Sequence, residues 1–372
     1  MGAIHMINKE VNVAIIGCGR IAGHHCNSIQ DVDGIRLSAV CDLIEEKAKA
    51  YGDQYNVPWY TNYHQMLSEC SDICTVVIAS PSGMHYEHGI ELICDYKKNL
   101  IIEKPTFMRP SHLIKAYQHA ENNGVSLYPV FQNRYNKAIE RVKKSLDENE
   151  LGDIRIISVR VRWCRPQRYY DLSPWRGTFS HDGGALTNQG IHHIDLLRYL
   201  GGEVEQVNSV MRTLGADIEV EDTVVATIKY KDNSVGVLEV TTSARPDDFE
   251  ASISIVGSKG LAQIGGVAVN ELQIFTPKPE DCKKYSEDFS KSGLGVYGNG
   301  HKKMYKDIAL SIQDNKAFPI DRDDCLETIK LLHSFYCSDE TGNWVKVDSK
   351  NESVRLGCLD ESISSLYRTK KF

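Results

Sequence analysis

The chain has 372 residues, enough to bury more than one hydrophobic core, so two domains are expected. Its 41% apolar and 25% charged composition is that of an ordinary soluble globular protein. No apolar run is long enough to span a bilayer, and no signal-peptide pattern is present. A formal charge of −7 argues against a nucleic-acid partner, because phosphate binding needs a basic face. The 11 cysteines are odd in number and scattered without a Cys-x-x-Cys pair. They read as reduced thiols of a cytoplasmic protein, with neither a disulfide framework nor a metal site expected.

Up to about residue 130, apolar strand-like runs alternate with helical segments. The strands are expected at Val11–Ile16, Ile35–Cys41, Ile73–Ala79, Leu100–Glu103 and Val125–Val130, with a short one near Trp59. Helices are expected around residues 20–31, 44–54, 84–98 and 110–123. This alternation implies a doubly wound parallel α/β sheet over residues 8–130, with ligands bound at the carboxyl ends of its strands.

From residue 131 the pattern changes. A polar helix from Asn136 to Asn149 precedes an alternating strand, Ile154–Trp163, and another helix begins near Asn188. Strands then follow at Val204–Leu214, Asp222–Lys231, Ser234–Ser243, Ala251–Gly257, Leu261–Gly265 and Glu271–Phe275. Hairpin turns are expected at Lys231-Asp232-Asn233-Ser234 and Gly257-Ser258-Lys259-Gly260. Residues 277–300 read as an irregular loop, followed by helices near His301–Gln313 and Asp323–Cys337. Residues 131–372 are therefore expected to form a separate α+β domain around a large, mostly antiparallel sheet. Its helices suffice for one face only, so a homodimer or homotetramer through the open face is expected.

Three constellations carry chemistry. In the first, Val11–Ile16 runs into Gly17-x-Gly19-x-x-Ala22, and Asp42 stands at the end of the second strand. Gly17 permits the turn, Gly19 lets backbone approach a pyrophosphate, and Ala22 allows close helix–sheet packing. The helix N-terminus then holds the phosphates. Asp42 suits two ribose hydroxyls and repels a 2′-phosphate, which favours NAD over NADP.

The second is Glu103-Lys104-Pro105 at a strand end, with Glu103 in position to hold the Lys104 ammonium and a cis bond possible at Pro105. Such an ammonium stabilises an alkoxide as it forms. It is matched by Asn188, His192 and Asp195, whose spacings of four and three put all three on one face of the helix expected from about Asn188. In that geometry Asp195 accepts from one ring nitrogen of His192 and leaves the other as a base. His193 points away as a packed or surface residue.

The third is the stretch Arg160–Tyr170 with Pro174-Trp175-Arg176-Gly177, which concentrates arginines and aromatics in an acidic protein. It reads either as an anion and ring-stacking site or as a salt-bridged strand edge. Alternation puts Arg160 and Arg162 on one face and Val161 and Trp163 on the other.

With these residues assembled, the chain resembles the glucose–fructose oxidoreductase/inositol dehydrogenase/rhizopine catabolism family from Val11 to about Cys337. The resemblance implies an N-terminal Rossmann domain and a C-terminal open-faced sheet that often forms the oligomer interface. It also implies NAD-dependent oxidation or reduction of a sugar or cyclitol carbinol. Lys104 and His192 match the family's acid/base pair; Asn188 stands where many members carry an aspartate. The implied cofactor residues are Gly17, Gly19, Arg20, Ile21, Ala22, Asp42, Ser80, His85, Glu103, Lys104 and Gln132. The implied substrate residues are Arg134, Trp163, Arg165, Tyr169, Trp175, Arg176, Asn188 and His192. Trp175-Arg176-Gly177, Thr187–His192 and Phe131–Asn136 look most like the sugar-nucleotide branch. That branch implies oxidation at C3 of a UDP-linked N-acetylated sugar or its uronic acid, in making O-antigen or another surface polysaccharide. A free-sugar or inositol dehydrogenase, or a non-enzymatic NAD-binding regulator, are the alternatives.

Overall fold

A computed structural model describes residues 10–288, 298–348 and 350–371. The first sheet contains β1 (Val11–Ile16), β2 (Ile35–Cys41), β3 (Trp59–Tyr60), β4 (Thr75–Ile78), β5 (Asn99–Ile102) and β6 (Leu127–Pro129). All neighbours are parallel, in the order β3-β2-β1-β4-β5-β6. Helices cover both faces, which is why Val76, Val77 and Ile78 form an unbroken apolar run with no exposed member. Strand order reverses between β1 and β4, and the crevice outside their carboxyl ends is where such sheets bind ligands.

The second sheet contains β7 (Ile154–Arg162), β8 (Val204–Arg212), β9 (Thr223–Tyr230), β10 (Val235–Thr241), β11 (Glu250–Gly257), β12 (Leu261–Gly265), β13 (Glu271–Phe275) and β14 (Val345–Lys346). Its order is β13-β12-β11-β7-β10-β9-β8-β14, antiparallel except where β7 meets β10. Both expected hairpin turns are present, Asn233 adopting φ +69° and Gly257 N–H donating to Gly260 O at 2.9 Å. Helices Lys137–Asp147, Ile191–Gly201 and Arg322–Thr341 pack on one face. The other face leaves Val210, Val225, Val235 and Ile274 about half exposed, interspersed with ion pairs from Arg162 to Glu239 and Glu250.

Three local expectations are corrected. A helix, Tyr63–Glu69, lies where none was expected, its start capped by Asn62 Oδ1 accepting from His64 N at 2.8 Å. The loop expected over 277–300 contains helix Asp281–Tyr285, while residues 289–297 lie outside the described residues. The helix expected from Asn188 is two helices, Ala185–Asn188 and Ile191–Gly201. Gly190 stands at the break, where a Cβ would lie 2.9 Å from Leu186 O, so only glycine lets the chain turn so tightly.

The later chain also returns to the first sheet. Helix Gly300–Asp314 buries Met304, Tyr305 and Ile308 against Val13, Ile15 and Ala22 of the Rossmann layer. The C-terminal segment ties down further, Arg109 pairing with Glu352 and Arg368 with Glu87.

Candidate active site

The turn after β1 is built for close approach. Gly17 adopts φ +101°, and a Cβ there would lie 2.5 Å from Ala79 O. At Gly19, in contrast, a Cβ would meet nothing within 4 Å, so the backbone faces open space. Gly19 is the N-cap of helix Arg20–Gln30 and supplies no side-chain cap, leaving the helix start to a ligand. Arg20 is exposed and Ile21 half-buried in that first turn, while Ala22 is fully buried against the sheet. Asp42 Oδ2 accepts from Cys18 N at 2.8 Å and Oδ1 from Ile44 N at 2.9 Å, which fixes the carboxylate beside the turn. These features fit a dinucleotide: a small-residue cradle, a helix N-terminus and an oriented carboxylate.

Lys104 follows β5 and is joined to Pro105 by a cis peptide bond. Its Nζ donates to Asn188 O at 2.7 Å and to Asn188 Oδ1 at 2.9 Å. Burial lowers the Lys104 ammonium from its ordinary range, while Glu103 and Asp182 oppose the shift and Arg176 and Arg165 reinforce it. Asn188 in turn donates from Nδ2 to Asp182 Oδ1, and Gly177 N donates to Asp182 Oδ2 at 2.7 Å. Asp182 is 1% exposed, and burial pushes it up to about 6 against the Gly177 N–H, Arg176, Asn188 and Lys104. The chain Asp182–Asn188–Lys104 was missed by the sequence reading. Its only signal there was a carboxylate just before Gly183-Gly184, and the broken helix hides its spacing to Asn188.

His192 is buried, and its Nε2 accepts from Gln132 Nε2 at 3.2 Å. Its Nδ1 and Gln132 Oε1 have no partner among the described residues. Burial, then the Lys104 charge, hold the imidazole well below its ordinary range, so it is neutral and able to take a proton.

Several expected roles change. Asp195 does not orient His192. Its two oxygens accept from Arg134 Nε at 2.7 Å and Nη2 at 2.6 Å, and Thr328 Oγ1 adds a bond at 3.0 Å. A guanidinium fork matches both carboxylate oxygens at once, so it captures Asp195 where an imidazole offers a single N–H. Arg134, expected to touch substrate, is 7% exposed and is further held by Asp324 at 2.9 Å.

Glu103 does not hold the Lys104 ammonium either. Its Oε1 lies 2.9 Å from His25 Nε2, because successive residues leaving a strand project to opposite sides. His85 is 1% exposed and wedged between Pro105 O at 2.9 Å and Ser80 O at 3.0 Å. It clamps the turns that carry Ser80 and Lys104. Ser80 itself pairs through Oγ with His88 at 3.1 Å.

The arginine-rich stretch divides in two. Arg160 and Arg162 lie on the open sheet face with Glu239. Trp163 is buried, its indole N–H donating to Val267 O at 3.1 Å and its ring packed on His193, which is itself fully buried. Trp163 is thus a wall of the fold. Arg165 lies 5.6 Å from the Tyr169 ring centroid and pairs with Asp248 at 2.8 Å. Arg176 lies 4.3 Å over Tyr169 and 4.6 Å over Trp175. Arg165, Tyr169, Trp175 and Arg176 therefore form one cationic aromatic group whose charges reach Lys104.

Residues 11–131 match the oxidoreductase family with an NAD-binding Rossmann fold, and residues 139–263 match the GFO/IDH/MocA C-terminal domain. The chain belongs to the GFO/IDH/MocA oxidoreductase family. It is an NAD-dependent sugar dehydrogenase. The WlbA dehydrogenase of Bordetella pertussis, solved with NADH and UDP-GlcNAcA, superposes with a TM-score of 0.85 at 31% identity. That match covers 91% of this chain and 98% of the other. WlbA from Chromobacterium violaceum, with the same two ligands, gives 0.82 at 32% identity over 92% and 97% of the two chains. Myo-inositol 2-dehydrogenase of Thermotoga maritima is 24% identical over 67% of this chain and 74% of its own.

Proposed function

We propose that the enzyme oxidises the C3 hydroxyl of a UDP-linked N-acetylated sugar, or of its uronic acid, as in UDP-N-acetyl-2-amino-2-deoxyglucuronate 3-dehydrogenase. The observation that carries this reading is the pairing of Lys104 and neutral His192 with the Arg165–Tyr169–Trp175–Arg176 group. Arg165 already pairs with Asp248, but Arg176 is in no ion pair among the described residues. A free cyclitol offers it no anion, whereas a sugar diphosphate or uronate does. The similarity to the two WlbA dehydrogenases, each solved with UDP-GlcNAcA, supports the same choice.

Residues Gly17, Gly19, Arg20 and Ile21 would hold the pyrophosphate of NAD, and Asp42 its ribose. When bound, NAD supplies the hydride acceptor. Lys104 spends two of its three N–H bonds on Asn188, which leaves one for the reacting sugar oxygen. That ammonium stabilises negative charge on the oxygen as its proton departs to His192. The half-exposed valines on the second sheet support a homodimer or homotetramer through that face.

The test is NADH formation with UDP-GlcNAcA, UDP-GlcNAc and myo-inositol, alongside thermal shift with each in the presence of NAD. Turnover and stabilisation with the UDP sugars are expected. Turnover with myo-inositol alone overturns the reading.

A further inference from the structure

Below the Lys104 turn, three side chains from distant parts of the sequence converge. His25 comes from helix Arg20–Gln30, Glu103 from the end of β5, and His301 from the first turn of helix Gly300–Asp314. One ligand atom from each lies within 4.8 Å of the other two. Glu103 Oε1 is 2.9 Å from His25 Nε2 and 4.0 Å from His301 Nε2. The three residues are 0%, 5% and 1% exposed in the order His25, Glu103, His301.

Two further observations point to a ligand between them. Neither ring nitrogen of His301 has a hydrogen-bond partner among the described residues, although a neutral imidazole carries an N–H that needs one. His25, in contrast, is oriented from behind, with Nδ1 2.7 Å from the Tyr305 hydroxyl. That is the arrangement of a metal-ligating histidine, whose second nitrogen is held by an outer partner that fixes its orientation.

Donor satisfaction makes the same point. A buried polar group needs a partner. His25 and Glu103 meet each other across 2.9 Å, whereas His301 has none among the described residues. A divalent cation would take a lone pair from each of the three, with His301 Nε2 drawn in from its 4.0 Å separation from Glu103 Oε1.

We propose that His25, Glu103 and His301 form a binding site for one divalent first-row transition-metal ion of the zinc type. Two imidazoles and a carboxylate are the donors such ions favour over magnesium or calcium. The ion takes no part in hydride transfer. It pins helix Gly300–Asp314 to the first lobe, beneath the loop that carries Lys104. The proposal is independent of which sugar the enzyme oxidises.

The experiment uses the full chain purified without a polyhistidine tag, stripped with chelator and titrated with Zn²⁺ and with Co²⁺. Metal content, melting temperature and the Co²⁺ visible spectrum are read together. About one ion per chain is expected, with a raised melting temperature and absorption bands of a nitrogen–oxygen site. His301→Ala should drop the bound ion below about a tenth of an equivalent, and Tyr305→Phe should weaken binding about 10–100-fold. If His301→Ala fails to fold, His301→Asn and Tyr305→Phe carry the comparison. The proposal is overturned if the wild type binds no ion. It is equally overturned if binding is the same in His301→Ala, His301→Asn and Tyr305→Phe, which would assign the ion to surface thiols.

Discussion

The ammonium of Lys104 is held from two sides by one residue, with Asn188 O at 2.7 Å and Asn188 Oδ1 at 2.9 Å. This contact joins the end of β5 to a short helix of the second lobe. It fixes where the remaining Lys104 N–H points. Lys104→Met removes that donor with little change of volume, so kcat is expected to fall by about 10²–10³-fold or more. NADH affinity, read by fluorescence titration, should stay near the wild-type value. Substantial turnover in the variant would remove the lysine from the mechanism.

Asp182 sets the orientation of the Asn188 amide by accepting from Nδ2, and burial pushes its carboxyl up to about 6. It is therefore a positioning residue that ionises within the working range. The kcat profile is expected to rise through an inflection near 6 as Asp182 loses its proton and becomes the better acceptor. Asp182→Asn should flatten that limb and lower kcat about tenfold or more with little change in KM. An unaltered inflection in the variant would assign the titration elsewhere.

Asp195 serves the fold rather than the base. It is 1% exposed and engages both Arg134 Nε and Nη2. Removing one partner of a buried pair costs about 3–5 kcal/mol, so Asp195→Ala should lower the denaturation midpoint sharply. The pH dependence of kcat in the folded fraction should keep its shape. A displaced profile at unchanged stability would restore Asp195 as the partner of His192.

Glu221 is buried beneath Gly184, accepting from Leu186 N at 3.0 Å and Tyr336 Oη at 2.9 Å, and burial pushes its carboxyl up to about 7. A folded-state value above the unfolded value of about 4.3 means the folded protein holds this proton more tightly. Its contribution to stability is complete below the unfolded value and is lost as pH rises through the folded value. Glu221→Gln keeps both accepted hydrogen bonds and never ionises. Its stability advantage over wild type should grow between about pH 4 and 7, to on the order of 3 kcal/mol. Chemical denaturation of both proteins across that range measures it, and a constant difference would refute the assignment.

Gly17 combines φ +101° with a Cβ position 2.5 Å from Ala79 O. Gly17→Ala is expected to cost about 1–3 kcal/mol and to weaken NADH binding together with stability. Unchanged binding would show that the turn can shift without disturbing the cofactor site.

Much of the scaffold was legible because it is local. The strands of the first sheet are apolar runs of strand length, and the Gly17–Ala22 turn and Lys104-Pro105 announce themselves within a few residues. The hairpin at Asn233 follows from turn chemistry alone. Helix continuity past Asn188 was misread, because periodicity persists across Gly190 while the backbone does not.

The primary sequence by itself determined the two sheets, the dinucleotide turn, and Lys104, Asn188 and His192 as candidates. Tertiary structure alone decided their partners: Arg134 for Asp195, His25 for Glu103, Asp182 for Asn188. The physical reason is that a charged side chain is captured by whichever complementary group the packing brings closest with the best hydrogen-bond geometry. For Arg134 and Asp195 that group lies 61 residues away. For His25 and Glu103 it lies 78 residues away, beyond the reach of any local pattern.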